Sequence, residues 1–556
     1  MQTEAMYCVL TNQGDEILAT ELDERGELLG DPWGLEPDDV ADFVDAHEDP
    51  RTRWTWHDTG LAYPPILAAG VRVERAHDLR LCRAILRRSA LTEGSGIATA
   101  PRDALDEEPP LPAGSGAETL FEVPAGAGLP DPVTELRRQL KAVAGSPDPG
   151  RLRLLLAAES AGGLAATEMR VAGLPWDSER HRALLTELLG PRVPAGQRPL
   201  VLEQLAARIR DALDAPTLNP DSPQEVLSAL QSAGLQVTST RSAELSRIEH
   251  PVIEPLLEYK KRVRLLTANG WSWLDTWVVD GRFHADFLPG GVPSGRWAAR
   301  GGGALQLPKQ VRSAVVAHPG WKLVVADAAQ LEPRVLAAMS GDTAMAAAGR
   351  AGDLYEGIVA TGAVPDRNAA KYAVLGAIYG ATAGQSGRLL PSLARAFPQA
   401  LGLVESAARA GERGEKVTTR LGRSSPAPDG RWRDLVSAAS GAAGTPAEES
   451  RARSILRERG RFSRNFVVQG TAAEWALCWL ADLRRRLAAL RTPEGQAPEL
   501  VYFLHDEVMV HAPEELAAPV AEAVRAAADS AGNLLFPGFP IPFPLEVTVV
   551  DDYGQA

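Results

Sequence analysis

The stretch KLVVADAAQLEPRVLAAMSGD, residues 322–342, decides how the rest of the chain is read. Leu323–Ala326 is a short apolar run of the kind buried in a sheet. Asp327 follows at its carboxyl end, and Pro333 sits where the first turn of a helix tolerates a missing N–H. A carboxylate at a strand end, just before a helix, is well held for a metal ion. Taken alone, the segment reads more plainly as a core strand followed by a capping Asp.

A second stretch changes that balance. VYFLHDEVMVHAP, residues 501–513, reads as strands at Val501–Leu504 and Val508–Val510 joined tightly through His505-Asp506-Glu507. Hairpins ordinarily turn on Gly or Asn. Acidic residues at an apolar hairpin tip repel each other unless a cation offsets them, although a solvated polar tip accounts for this segment equally well. Paired with Asp327, such a carboxylate can bridge two hard cations about 4 Å apart, the arrangement of two-metal phosphoryl transfer. Mg²⁺ suits it, because it needs only one or two carboxylates and keeps waters and phosphate oxygens; Mn²⁺ is the alternative ion.

In DRNAAKYAVLGAIYGATAG, residues 366–384, Arg367, Lys371, Leu375 and Tyr379 recur every four residues. On a helix they form one stripe, cationic first and then apolar and aromatic. Ala370, Ala373, Ala377 and Ile378 face the core instead. The stripe matches a nucleoside triphosphate, with phosphates on Arg367 and Lys371 and base and sugar against Leu375 and Tyr379; an ordinary amphipathic helix with two solvated cations gives the same pattern. Residues 451–487 are a long helical stretch presenting Arg457, Arg461, Asn465 and Gln469 at the same spacing. Such donors can hold a duplex through minor-groove acceptors shared by all base pairs.

Composition narrows the class. Of 556 residues 45% are hydrophobic, so real cores are available; 58 basic against 72 acidic residues give a net charge of -14. Polyanion binding must therefore come from local patches. Three scattered cysteines (Cys8, Cys82, Cys478), in no metal spacing, argue against a disulfide scaffold or a zinc site. No signal pattern or membrane-length apolar run is present, so the sequence reads as cytoplasmic, without membrane partners. Residues 1–90 read as a small α/β unit: strands at Tyr7–Leu10 and Glu16–Thr20 around an Asn12–Asp15 turn, then helices near 37–47 and 78–88. Residues 91–132, rich in Pro, Gly and small residues, read as a linker. A mostly helical region follows to about 280, and beyond it strands and helices alternate.

These segments resemble the family A DNA polymerases. The family's first palm motif, approximately DYSQIELRVLAHLSGD, aligns with DAAQLEPRVLAAMSGD here; RRxxKxxNFGxxYG aligns with RNAAKYAVLGAIYG, and VHDE with LHDE. SGR at Ser294–Arg296, LQLP at Leu305–Pro308, NFVVQGTAAE at Asn465–Glu474 and NPDSPQ at 219–224 match in order over roughly residues 150–556. The resemblance implies an α/β multidomain protein: a right-hand polymerase of palm (about 283–345 and 465–556), fingers (about 346–464) and thumb (about 196–282), all within 133–556. A small truncated ribonuclease H-like α/β domain precedes it. It implies a monomer associated with the nucleoid that uses dNTPs on primer-template DNA in repair or gap filling. Asp327 and Asp506 would hold two Mg²⁺ ions, with Glu507 supporting them. Arg367 and Lys371 would hold the triphosphate, Leu375, Tyr379 and Gln330 would contact the nucleotide, and Glu332 would be the steric gate against a ribose hydroxyl. Arg296, Gln306, Arg461, Asn465, Gln469 and His505 would position the primer end and duplex.

The departures carry their own expectations. Leu375 replaces the finger-helix aromatic, Val374 the preceding Asn, Ala328 the Tyr after the first Asp, Ala329 the Ser, and Phe503 the Gln before the HDE triplet. A slow polymerase, or one less discriminating against dideoxy or mismatched nucleotides, is expected. Family members often carry a 3′–5′ exonuclease domain where residues 1–90 lie. Its Asp-x-Glu is missing from the first strand, which offers Cys8, Val9, Leu10 and Thr11, so an inactive remnant is expected, with Asp58 a leftover carboxylate or a surface residue. The rival readings are a nuclease without polymerase activity, a phage-type RNA polymerase relative and a catalytically weak DNA-binding scaffold.

Overall fold

Gly14 and Asp15 form the two-residue turn of the first hairpin, and Gly14 takes the left-handed φ of +66° that such turns require. The computed structural model describes residues 6–107, 128–194, 196–303, 307–350, 352–381, 384–440 and 445–556. Strands β1 (Tyr7–Gln13) and β2 (Glu16–Leu22) pair antiparallel with Gln13 opposite Glu16. They belong to a five-stranded sheet of order β3-β2-β1-β4-β5, where β3 is Trp33–Leu35, β4 Arg53–Trp56 and β5 Ala76–Asp78. β4 runs parallel to both β1 and β5. Helix α1 (Val40–Ala46) and helix α3 (Leu79–Leu86) fall in the two helical stretches anticipated. Between them, α2 (Thr59–Ala68) contains Pro64 and Pro65, residues that ordinarily interrupt a helix; burial of Tyr63 and Ile66 against Trp54 and Trp56 accompanies its continuation.

The expected linker at 91–132 is folded in its first part. Residues 90–106 carry a helical turn at Gly96–Thr99 and 3₁₀ turns at Ala90–Thr92 and Ala104–Asp106, with Ile97 and Leu105 buried. Asp103 and Asp106 pair with the buried Arg83 at 2.8 and 3.1 Å. The apolar residues Ile97 and Leu105 of this part are packed rather than spanning a gap. Nor is 132/133 a packing boundary. Helix α4 (Pro132–Ala144) sends Leu136 into the cluster of Tyr7, Val9, Leu22 and Leu79, and Glu135 bonds Arg83 at 2.9 Å. Helix α5 (Pro149–Ala172) buries Leu164 beneath the same sheet.

By packing, the chain forms two units. The first holds the N-terminal residues through Ala172 with Phe287–Ala298 and Val324–Val549; the second holds Gly173–Asp286, Ala299–Leu323 and Val550–Ala556. The second is mainly helical (Ser178–Leu189, Leu200–Ala212, Pro223–Ser232, Ile253–Asn269) around Trp176, Trp273 and Phe283, whose rings lie 4.9 to 5.9 Å apart. Ser222 of NPDSPQ caps the helix that begins at Pro223.

In the first unit the chain continues through β6 (Trp321–Ala328), α6 (Leu331–Ser340), α7 (Leu354–Ala360), α8 (Arg367–Tyr379) and α9 (Pro398–Glu412). The 43-residue α10 (Pro446–Ala488) is followed by the hairpin β7 (Glu499–Leu504) and β8 (Glu507–Pro513), then α11 (Ala517–Leu535) and β9 (Leu545–Val550). The four strands form one sheet of order β7-β8-β6-β9. Among the described residues no helix is long and apolar enough to cross a membrane, and the three cysteines are free and buried.

Candidate active site

Strand order brings the two distant aspartates together. β6 lies beside β8, and the Ala328 N–H donates to the Asp506 carbonyl at 2.8 Å, so the residue after Asp327 is bonded across the sheet to Asp506 itself. Neighbouring strands are about 4.8 Å apart. Asp327 is exposed at the end of its strand, whereas Asp506 and Glu507 are half-buried. The turn uses no glycine: His505 takes a φ of +57°, and Leu504 pairs directly with Glu507. Burial, with the charges of Glu332 and Glu507 nearby, pushes the Asp506 carboxyl up to about 6 against the opposing pull of Arg296. Burial and the Arg296 charge push His505 down to about 4, leaving it neutral at pH 7. Asp506 thus lies where added positive charge is favoured, and a carboxylate donor set of this kind fits a hard divalent ion. Among the described residues no group of three or more His, Cys, Asp and Glu forms a ready-made metal cage.

Glu332, in the first turn of α6, is the hub of the site. One carboxylate oxygen accepts from Arg296, and the other from the Tyr379 hydroxyl at 2.7 Å. Glu332, Tyr379 and Arg296 therefore form one hydrogen-bonded group. α8 shows the expected stripe: Arg367, Lys371 and Tyr379 are exposed, Leu375 is half-buried, and Ala370, Ala373, Ala377 and Ile378 are buried. Asp366 caps the helix, and Gly380 ends it with a left-handed φ of +74°. Arg367 is paired with Asp353 at 2.7 Å.

The stripe on α10 is also present. Arg457 and Arg461 are exposed, and Asn465 and Gln469 are half-buried. Gln469 accepts from the Ser294 hydroxyl at 2.9 Å. Asn465 Oδ1 and His505 Nδ1 are buried without a hydrogen-bond partner among the described residues, a cost of about 1–3 kcal/mol each unless something completes them. Phe503 is buried edge-on against Trp297, so that position adds packing and no polar reach.

Gln330 lies in the left-handed region (φ +55°), where its half-buried side chain accepts from the Leu354 N–H and from Arg334, and donates to Asp353. These bonds brace the start of α7. Gln306 lies outside the described residues.

Two arginines escaped the sequence reading. Arg334 is fully buried and donates to the carbonyls of Ala329, Gly349 and Pro542, each at 3.0 Å, and of Gly352, fixing the backbone that follows Asp327. Arg464 donates to the Ala377 carbonyl and to Glu405, tying α10 to α8 and α9. Their only signal is a charged residue on an otherwise buried helix face.

A family model described as DNA polymerase family A matches residues 200–555. DNA polymerase I of Chloroflexus aurantiacus is 30% identical over 328 residues, 54% of this chain and 32% of that protein. The thermostable DNA polymerase I of Thermus aquaticus is 27% identical over 354 residues, 57% of this chain and 38% of that protein. This chain thus aligns with about a third of the length of these relatives. A solved structure described as the POL domain of Pol1 from M. smegmatis in complex with DNA primer-template and dNTP has the same fold. Its TM-score is 0.63 at 18% identity, covering 99% of this chain and 96% of that one.

Proposed function

From the premise that this chain belongs to DNA polymerase family A, we propose that it extends a primer 3′-OH on a DNA template with dNTPs. The observation that carries this reading is the bond between Ala328 and Asp506, which sets Asp327 and Asp506 side by side at the end of one sheet. The bound DNA and dNTP of the M. smegmatis structure agree with it. Asp327 and Asp506 would hold two Mg²⁺ ions, or Mn²⁺, with Glu507 beside them. Bound there, the ions supply positive charge for the attacking and leaving oxygens of an in-line displacement at the α-phosphate.

The chain's own residues do the rest by positioning and by charge. Arg367, released from Asp353, and Lys371 take the triphosphate; Leu375 and Tyr379 face base and sugar. Glu332 gates the sugar 2′ position, and its bonds to Tyr379 and Arg296 keep the carboxylate from swinging aside. Asn465, Gln469, Arg461 and His505 line the duplex side with Arg296. The palm, fingers and thumb are read as about 283–345 with 465–556, 346–464 and 196–282, the last falling within the mainly helical second unit.

Half-buried Leu375 in place of an aromatic ring, and the apolar packing of Phe503, support slower and less discriminating synthesis. The N-terminal domain is proposed to be an inactive, truncated ribonuclease H-like remnant. Its first strand buries Cys8 and Val9 where carboxylates are needed, and Asp58 is neutralised by Arg80 at 3.1 Å. A monomer in the cytoplasm at the nucleoid, acting in repair or gap filling, completes the proposal.

Primer extension by wild type and Asp506→Ala, with dNTPs or rNTPs, tests it. Extension limited to dNTPs and abolished by the substitution is expected. Extension with rNTPs favours the RNA polymerase relative, and none with either metal favours a DNA-binding scaffold. Digestion of labelled single strands by wild type would refute the inactive remnant.

A further inference from the structure

Away from the site, a cavity of about 350 Å³ opens where β4 and β5 meet α5, α10 and α11. Its floor is apolar, with Leu154, Ala158 and Cys478 among the lining side chains; Leu534 lies on the rim, and Arg53 and Arg75 stand in the wall. The two arginines are neighbours across a parallel strand pair: Trp54 is in register with Ala76, and the Trp54 N–H donates to the Arg75 carbonyl at 3.1 Å. Like charges side by side on adjacent strands destabilise a sheet, and a guanidinium cannot relieve this by losing its proton.

The acids of the same wall are already engaged. Glu74 pairs with Arg485 at 2.7 Å and Asp482 with Arg486 at 2.8 Å, while Arg484 is held by Glu168. Among the described residues neither Arg53 nor Arg75 has a carboxylate partner, and both are half-buried. Burial, and after it the neighbouring Arg75, disfavour the Arg53 charge against the opposing influence of Tyr7. Two guanidinium forks over an apolar floor suit an oxyanion head on a compact apolar body, and the volume falls in the range of small-ligand sites.

We infer that this cavity is a binding site for a small organic anion, its phosphate or carboxylate head between Arg53 and Arg75 and its apolar body on the floor formed by α5, α10 and α11. The assignment does not depend on the polymerase reading, because it is tested by binding alone.

Calorimetric titration of the full chain at low salt with phenyl phosphate, benzoate and inorganic phosphate provides the test. Saturable one-to-one binding of phenyl phosphate, benzoate or both is expected, and which of them binds identifies the head group. Inorganic phosphate should bind at least about tenfold more weakly, because it lacks the apolar body. Arg75→Gln should weaken binding about tenfold. Leu534→Glu, at a residue 52% exposed on the rim, should do the same by repulsion without disturbing the core. Without ligand, Arg75→Gln should melt no lower than wild type, since it relieves repulsion. No saturable binding, equal binding of inorganic phosphate, undiminished binding by Arg75→Gln, or a lower melting temperature of that variant without ligand would each overturn the assignment.

Discussion

Replacing Glu168 with glutamine removes the countercharge that ties the N-terminal domain to α10. Glu168, on α5, accepts from Arg484 Nη2 at 2.6 Å, from Arg72 Nη2 at 2.7 Å and from the Tyr63 hydroxyl at 2.9 Å. Arg484 also donates to the carbonyls of Val73 and Glu74. With its side chain only 4% exposed, Arg484 would keep a buried charge with no counterion, and breaking such a pair costs about 3–5 kcal/mol. The expected loss at pH 7 is about 3 kcal/mol, because the amide retains part of the hydrogen bonding.

Acid provides an independent check on that figure. Burial alone would raise the Glu168 carboxyl, but Arg484 and then Arg72 bring it from 4.5 down to about 2. A lowered folded value stabilises fully above about 4.5, and that stabilisation is lost as the pH falls towards 2. The drop corresponds to about 3 kcal/mol. Urea unfolding followed by fluorescence of the buried Trp54, Trp56, Trp475 and Trp479, at steps from pH 7 to pH 3, reads both effects. The wild-type and Glu168→Gln midpoints should differ most at pH 7 and approach each other as the pH falls. A pH 7 difference worth less than about 1 kcal/mol, well below the cost of an orphaned buried charge, would refute the reasoning. So would a gap that does not narrow in acid.

Further outcomes follow from the site. Asp506→Asn should lower primer extension by a factor on the order of 10²–10³ or more, with a melting temperature at or above that of wild type, because a buried carboxylate is neutralised. Tyr379→Phe removes one of the two bonds to Glu332, so single-nucleotide incorporation should show dNTP-over-rNTP preference reduced about tenfold; unchanged preference would mean Arg296 alone holds the gate. Leu375→Phe supplies a ring for the incoming base, and a KM for dNTPs about fivefold lower is expected, a stacking gain near 1 kcal/mol. Gly380→Ala forces a Cβ into the left-handed region, 2.7 Å from Arg461 Cγ. It should cost about 1–2 kcal/mol, read as a lower melting temperature.

Much of the local framework around Asp327, Asp506 and the α8 stripe is legible in the sequence, for a local reason. A strand closed by Asp327, a hairpin tip at Asp506 and a four-residue stripe from Arg367 to Tyr379 are short-range patterns, and periodicity alone assigns their element and exposed face. The hairpin at Gly14 and the helices at Val40–Ala46 and Leu79–Leu86 were legible in the same way. The stretch at 91–132 misled because small residues and prolines mark a chain without strong local preference, not one without partners. Its first part is ordered by Arg83, a residue outside that stretch.

Sequence by itself determined the strand that ends at Asp327, the hairpin at Asp506, the charged faces of α8 and α10, and which family these segments resemble, because each depends on residues within a turn or two of one another. Tertiary structure alone decided that Gln330 braces α7, that Arg296 and Tyr379 share Glu332, that Glu168 meets Arg484, and that Arg53 and Arg75 line one cavity. Each of these juxtapositions depends on how side chains settle when distant elements pack, and no local pattern encodes that pairing.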